Sequence, residues 1–289
     1  MTNVNELVAY KTMPVWTASS LPQMFQEKHN TKEGTWAKLT ILKGKLKFFY
    51  LTEEGDVVSE HEFDATNPAP FIEPQVWHKV QPLTDDLECF LEFYCTPENY
   101  FAKKYNLSTT HGDVVAASKI IAPCKTLDLG CGGGRNSLYL AKKGFEVTSV
   151  DHNAESIAFV QRVAAAEDLN VNAYEYNIET AAISENYDFI LSTVVLMFLN
   201  ANSIPQVIKN MQEHTNPGGY NLIVAAMSTP EYPCPMPFPF TFSEGELKNY
   251  YQGWEFLEYN ENLGHLHKID IHGNRIQLKF ATMLARKPQ

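Results

Sequence analysis

A glycine-rich turn and an acid about 20 residues beyond it have the clearest chemistry in this sequence. The turn contains Gly130, Gly132, Gly133 and Gly134, and the acid is Asp151. Glycines lack a Cβ, so the backbone can fold tightly and come close to a ligand. An acid at the end of the second strand of a doubly wound sheet is placed to accept hydrogen bonds from both hydroxyls of a ribose. These residues predict a nucleoside site.

The elements around the turn decide which nucleoside fits. An apolar strand precedes the turn, and a helix from about Arg135 directs unpaired N–H groups at the same spot, which favours an anionic group such as a carboxylate. The dinucleotide fingerprint G-x-G-x-x-G would need a glycine at position 135, which is arginine here. The sequence therefore predicts a nucleoside with a negatively charged tail rather than a dinucleotide.

The segment from Asp128 to Gly134 resembles the first motif of the class I S-adenosylmethionine-dependent methyltransferases. The resemblance implies that Asp128, Gly130 and Gly132 line the methionine end of this cofactor, while Asp151 holds its ribose. A nucleotide loop of another kind, or a decayed site, is the alternative interpretation.

Composition narrows the classes of partner. The chain has 289 residues, 34 acids against 23 lysines and arginines, and a net charge of -11. With no basic stripe to offset this balance, we expect small substrates and neither nucleic acid nor a membrane as partner. Five cysteines without a C-x-x-C pair suit reduced thiols. No signal peptide and no apolar run near roughly 18 residues is recognisable, so a cytoplasmic location is predicted.

Residues 1–96 are predicted to form a small all-β barrel or sandwich. Aromatic and β-branched segments at 35–42, 46–51 and 87–94 alternate with turn signals. Residues 74–78 resemble the second half-motif of cupins, but the paired histidines of the first cupin motif are missing. His61 and His78 are the histidines considered as ligands, and ordinary surface or core histidines are favoured over a metal site. No metal is predicted.

Residues 97–289 are predicted to form the methyltransferase domain. Helices at 113–122, 153–163 and 203–214 alternate with strands near 126–129, 146–151, 171–178, 187–193 and 220–227. This alternation predicts a doubly wound, mainly parallel sheet, closed by an antiparallel pair at 254–260 and 276–286. The predicted fold class is therefore α/β: a Rossmann-like, mostly parallel seven-stranded sheet preceded by a small cupin-like barrel.

Two further strand ends supply candidate cofactor contacts, because ligands of such sheets bind beyond the carboxyl ends of the strands. Asn177 can hydrogen-bond the adenine edge, and Ile178 can cover its face. Thr193 and Val194 end the fourth strand and are placed beside the methyl donor. Simple core packing is an equally good interpretation of the apolar residues there.

Five segments together resemble the TehB family of tellurite-resistance methyltransferases. They are residues 100–111, 126–140, 187–199, 217–227 and 273–286. The first domain is similar to the extra N-terminal barrel of the longer members. The resemblance implies methyl transfer from S-adenosylmethionine to tellurite, with selenium oxyanions as a further option and S-adenosylhomocysteine as product.

The remaining site residues follow from this resemblance. Further cofactor contacts are assigned to Tyr105, His111, Arg135, Asn136 and His152. The acceptor is assigned to the C-terminal hairpin, where Arg275 can present a planar fork of donors to an oxyanion. His267 can donate a hydrogen bond or shuttle a proton near neutral pH. A solvated hairpin with incidental charges is the alternative.

Two other functions stay open at this point. One is a methyltransferase for another small metabolite, such as a thiol or an amine. The other is a non-catalytic S-adenosylmethionine-binding sensor whose barrel is the effector. The sequence does not give the oligomeric state, for which a homodimer is one option.

Overall fold

The computed structural model describes residues 3–289, apart from the side chain of His267. It divides into two compact units, Met1–Leu107 and Ser108–Gln289. The division falls after the predicted boundary at Pro97 because the short helix beyond it packs in the first unit. There Lys103 donates to the hydroxyl of Thr35, 2.9 Å away, and to the carbonyl of Glu33. The domain limits 1–96 and 97–289 stay predictions.

The first unit contains seven strands and two short helices. In chain order they are β1 (Val8–Thr12), β2 (Trp16–Thr17), α1 (Gln23–Gln26), β3 (Trp36–Lys43), β4 (Lys45–Leu51), β5 (Val57–Asp64), β6 (His78–Pro82), β7 (Glu88–Cys95) and α2 (Tyr100–Tyr105). In one sheet β7 pairs with β1, β2 and β3, and in the other β4 pairs with β5 and β6. All these pairs are antiparallel, as predicted for an all-β domain.

Alternating side chains build the core of this unit. On β3, Ala37, Leu39 and Ile41 are buried while Lys38 is exposed, because successive side chains of a strand point to opposite faces. They pack with Phe48 of β4 and other apolar residues of the second sheet. The two sheets therefore share one apolar interior.

The second unit contains the other seven strands and five helices. In chain order they are α3 (Gly112–Ile120), β8 (Lys125–Leu129), α4 (Arg135–Lys142), β9 (Glu146–Asp151), α5 (Ala154–Ala166), β10 (Val171–Glu175), β11 (Tyr187–Thr193), α6 (Ile204–Glu213), β12 (Thr215–Ala226), α7 (Glu246–Tyr250), β13 (Glu255–Ile269) and β14 (Arg275–Arg286). The sheet order is β10-β9-β8-β11-β12-β14-β13. Strands β8 to β12 are parallel, and the final hairpin is antiparallel. The predicted seven-stranded sheet is confirmed.

Helices cover both faces of this sheet. Ile204, Val207 and Met211 form one face of α6 and pack with buried residues of one side of the sheet, whereas Val114 of α3 and Leu140 of α4 pack on the other. Cover on both faces explains why the central strands β8, β9 and β11 are almost continuously buried. Because β8, β9 and β11 are parallel neighbours, their carboxyl ends meet at one edge of the sheet.

Across the described residues, no helix has the length and apolar character needed to cross a membrane. The cytoplasmic location predicted from the sequence stays a prediction. The same holds for a homodimer.

Candidate functional site

The glycine turn between β8 and α4 is shaped by two packing contacts and one open position. Gly130 has φ +87°, and a Cβ there would lie 2.6 Å from the Val195 side chain. Gly134 has φ +82°, and a Cβ there would lie 2.6 Å from Val160. A Cβ on Gly132 would meet nothing within 4 Å. The backbone at Gly132 therefore borders open space, as a ligand-binding turn requires.

The carboxylate of Asp151 forms hydrogen bonds with the backbone of this turn and of the residues that follow β9. Its Oδ2 accepts from the N–H of Gly132 at 2.9 Å, and its Oδ1 accepts from the N–H of Asn153 at 2.9 Å. The ring of His152 is 85% exposed, and its Nδ1 lies 3.4 Å from Oδ1. A carboxylate has about four lone-pair sites, so each oxygen can accept one further hydrogen bond. Two neighbouring hydroxyls are suitable donors for these positions.

Asp128, at the end of β8, is buried, with 1% of its surface exposed. Its Oδ2 accepts a 2.6 Å hydrogen bond from the hydroxyl of Ser137 in α4. Burial raises the pKa of Asp128 to about 6, against the opposing influence of Ser137 and the Arg135 guanidinium. Asp128 thus ties β8 to α4, and its predicted contact with the methionine end stays a prediction.

The raised pKa of Asp128 predicts a pH-dependent effect of Asp128→Asn. Because the folded pKa lies above the unfolded value, the protonated carboxyl stabilises the fold at low pH, and this contribution is lost as pH rises through about 6. Between about pH 5 and about pH 8, the free energy of unfolding of the variant is expected to gain about 1 kcal/mol relative to the unsubstituted protein. Urea unfolding at both pH values measures this. An unchanged difference would contradict the raised pKa.

The side chain of Asn136 in α4 forms hydrogen bonds with two other segments, the end of β11 and the residue before α3. Its Nδ2 donates to the Thr193 hydroxyl at 2.9 Å, at the end of β11. Its Oδ1 accepts from the N–H of His111 at 3.0 Å, just before α3. The imidazole of His111 in turn caps α3 by accepting from the N–H of Asp113 at 3.4 Å. One buried amide therefore sets the spacing between α3, α4 and β11.

The residue after β11 has a strained backbone. Val194 has φ +60°, in the left-handed region that β-branched residues rarely adopt. Its N–H donates to the carbonyl of Val224 on β12 at 2.6 Å, which holds the turn in place. Backbone strain of this kind costs about 1–3 kcal/mol and concentrates at functional sites.

The two residues predicted to contact adenine lie where a short 3-10 helix begins after β10. The Oδ1 of Asn177 accepts from the N–H of Glu179 at 3.1 Å, which caps this helix. Asn177 is exposed, and Ile178 is 7% exposed within the core. The sequence placed β10 as far as residue 178, but the strand ends at Glu175 because the chain turns into the capped helix.

A cavity of about 370 Å³ lies within the second unit, beside the glycine turn. Its lining residues are His111, Asp113, Arg135, Val194, Val224, Asn260, Asn262, Leu263, Gly264, His265, Leu266, Phe280 and Thr282. It thereby collects three predicted site residues. Sequence reasoning assigned no role to Asn260 and Asn262, whereas His265 lies in the segment 264–270 from which acceptor candidates were expected; β13 extends to Ile269, beyond the predicted end at residue 260. The polar residues at alternate positions 260 and 262 were the available signal.

Of the two residues assigned to the acceptor, Arg275 and His267, the structure describes the side chain of Arg275 only. The guanidinium of Arg275 donates from Nε to the carbonyl of Leu266 at 3.0 Å and from Nη2 to that of His265 at 3.5 Å. Arg275 is not among the residues that line the cavity. The backbone of His267 belongs to β13, but its side chain lies outside the described residues. Tyr105 is the last residue of α2, in the first unit.

This sheet order, with a glycine turn facing an acid at the end of the neighbouring strand, defines an S-adenosylmethionine-dependent methyltransferase. The family model described as "Tellurite resistance protein TehB" matches residues 93–284, and a TehB-like domain matches residues 11–91. The chain belongs to the TehB family.

Three relatives give the extent of the similarity. A probable S-adenosyl-L-methionine-dependent methyltransferase TehB of Haemophilus influenzae is 67% identical over 283 residues, 98% of this chain and 99% of that protein. A crystal structure of TehB from Haemophilus influenzae superposes with a TM-score of 0.96 at 66% identity, covering 98% of this chain and 99% of that one. A protein of Eikenella corrodens named hemagglutinin 1 is 50% identical over 240 residues, 83% of this chain and 80% of that protein.

The cofactor is therefore S-adenosylmethionine, as predicted. Two observations in this chain fit it. The open space beside Gly132 leaves room at the turn, and the carboxylate of Asp151 keeps acceptor positions beside that space.

Proposed function

We propose that this enzyme methylates tellurite, with selenium oxyanions as related acceptors. The observation that carries the proposal is the match of residues 93–284 to a family model described by tellurite resistance. The cavity of about 370 Å³ supports it, because it lies beside the turn assigned to the cofactor and suits a small acceptor.

The lining of the cavity suits an oxyanion. Arg135 contributes a guanidinium, which stays charged near neutral pH although burial lowers its pKa. His111, His265 and Asn260 add hydrogen-bonding groups. Burial raises the pKa of Asp113, which is the one carboxyl among the described lining residues. Donors and positive charge around the oxygens are what an oxyanion acceptor requires.

Methyl transfer to tellurite requires few other chemical groups from the protein. S-adenosylmethionine supplies an activated methyl group on a sulfonium. Tetravalent tellurium carries its own lone pair, so no proton has to leave and no general base is needed, unlike with an amine or an alcohol. The protein must align acceptor and methyl group and exclude water. The rigid contacts of Asn136 and the turn at Val194 serve that alignment.

We propose that Arg275 and His267 also act on the acceptor, since they belong to the hairpin whose strand β13 lines the cavity. We expect Arg275→Ala and His267→Ala to slow tellurite methylation at least tenfold while changing S-adenosylhomocysteine affinity less than twofold, since they act on the acceptor side (about 1.4 kcal/mol per tenfold). Arg275→Lys should recover only part of the rate, because the point charge of an ammonium cannot reproduce the planar fork of donors that a guanidinium presents to an oxyanion. Turnover and calorimetric affinity are measured on each variant. A parallel fall in both would indicate structural damage, and full turnover in either variant would remove that residue from the site.

An acceptor screen tests the function itself. The purified full chain is incubated with S-adenosylmethionine and tellurite, selenite, a small thiol or a small amine, and S-adenosylhomocysteine release is measured. The proposal expects the highest turnover with tellurite. Higher turnover with the thiol or the amine would identify a different metabolite methyltransferase. Tight cofactor binding without turnover on any acceptor would favour the sensor.

A further inference from the structure

The first unit contains a cavity of about 530 Å³, and none of its described lining residues is among those assigned to the cofactor or the acceptor. Its lining consists of Tyr10, Lys11, Met13, Trp16, Leu21, Met24, Phe25, His29, Asn30, Thr31, Lys32, Thr35, Ala37, Leu39, Ile72, His78, Val80, Leu91, Phe93 and Lys103. All of these belong to the first unit. The volume lies in the range of small-molecule sites.

Most of the cavity wall is apolar and aromatic. The rings of Trp16 and Phe25 lie 5.2 Å apart, and those of Phe25 and His29 lie 5.4 Å apart. Leu39 and Val80 of the two facing sheets are buried on the same wall. A wall of this kind favours a ligand with an aromatic body.

Two histidines on the wall are neutral. The Nδ1 of His78 donates to the carbonyl of Val76 at 2.8 Å, and that of His29 donates to the carbonyl of Glu27 at 2.9 Å. Their ring centroids are 4.1 Å apart. Burial lowers the pKa of both, that of His78 to about 4, helped by the neighbouring His29. They therefore extend the aromatic wall and offer Nε2 acceptors, but no positive charge, near neutral pH.

A metal ion fits this pair poorly. Within the part of the chain that the structure describes, no third His, Cys, Asp or Glu joins them. His61, the other histidine considered from the sequence, is exposed on β5 and is not part of the lining.

The charge of the lining is one-sided. Among the described residues that line the cavity are Lys11, Lys32 and Lys103 and no aspartate or glutamate, in a chain with a net charge of -11. Lys103 is held in place by the carbonyl of Glu33 and the hydroxyl of Thr35. Cations that no lining carboxylate neutralises create a local positive potential, which attracts an anionic ligand.

We propose that this cavity is a binding site for a small aromatic carboxylate. The apolar wall takes the ring of the ligand, and the lysines hold its carboxylate. The site is separate from the proposed methyl transfer and stands whether or not tellurite is the acceptor.

The test uses the full chain labelled with ¹³C at the methionine methyl groups, with S-adenosylhomocysteine present in excess to occupy the cofactor site. Phenylacetate and benzoate are titrated, with phenylacetamide as the neutral isostere. Met13 and Met24 line the cavity, whereas Met197 and Met283 are buried in the second unit. The carboxylates are expected to shift only the first two methyl signals, and phenylacetamide should bind at least tenfold more weakly.

Substitutions then test the charge. Lys11→Gln and Lys32→Gln are each expected to weaken phenylacetate binding about three- to tenfold. Lys45→Gln is the matched control, because Lys45 is an exposed lysine of the same unit outside the lining. The proposal would be overturned if phenylacetamide bound as tightly as phenylacetate, or if Lys45→Gln weakened binding as much as the two test variants. It would also be overturned if the carboxylates shifted only methyl signals of the second unit or shifted none.

Discussion

Asp151→Ala is expected to weaken binding of S-adenosylmethionine by about 2–3 kcal/mol, or about 30- to 150-fold. In the predicted cofactor site, the carboxylate of Asp151 provides charged acceptors for the ribose hydroxyls, which an alanine side chain cannot replace. The substitution also releases the N–H groups of Gly132 and Asn153, which the carboxylate now holds at 2.9 Å. Calorimetric titration with S-adenosylmethionine and S-adenosylhomocysteine measures the loss.

Two variants control this experiment. Glu146→Ala removes an exposed acid from the opposite end of β9 and is expected to leave affinity unchanged. Asp151→Asn keeps one carbonyl acceptor and should give an intermediate loss. Normal affinity in Asp151→Ala would show that the ribose is held elsewhere.

Gly130→Ala is expected to lower the free energy of unfolding by about 3–5 kcal/mol. The position has φ +87°, and the new methyl group would lie 2.6 Å from the side chain of Val195. Backbone strain of about 1–3 kcal/mol and overpacking of similar size add here. Gly132→Ala should cost only about 1–2 kcal/mol, since its φ is +50° and nothing lies within 4 Å. It should instead impair cofactor binding by filling the open space. Urea unfolding and calorimetry measure the two effects.

Gly253→Ala separates strain from overpacking. Gly253 has φ +85°, nearly that of Gly130, but a Cβ there would meet nothing within 4 Å. The stability lost in Gly130→Ala beyond that lost in Gly253→Ala is the cost of the contact with Val195. Equal losses in these two variants would mean that Val195 moves aside without cost.

The elements of the site that adjoin one another along the chain could be predicted from the sequence. The strand, turn, helix and second strand from residue 126 to Asp151 follow from hydrophobic pattern and glycine spacing, and the structure contains all four. Local rules suffice there because each element adjoins the next along the chain. The order of the last two strands agrees with the predicted closing hairpin as well.

The cavity beside the turn could not be predicted in the same way. The cavity brings His265 and Asn260 of β13 together with His111 and Arg135, which lie far away along the chain, and local sequence patterns do not predict such a contact. Arg275 was expected to direct its donors at an oxyanion, but its guanidinium also bonds two backbone carbonyls. The identity of a residue in the sequence does not indicate which backbone carbonyls its side chain will bond. The positive φ of Val194 is a further case, since sequence preferences argue against it.

The amide of Asn136 has a mechanical consequence for the enzyme. It connects Thr193, the last residue of β11, to His111, which lines the cavity proposed for the acceptor. It projects from α4, the helix that follows the glycine turn. A displacement on the acceptor side must therefore pull on the support of the methyl donor. In-line transfer loses about a hundredfold in rate for a misplacement of about 1 Å. In the proposed site, donor and acceptor therefore share one support, the side chain of Asn136, instead of being positioned independently.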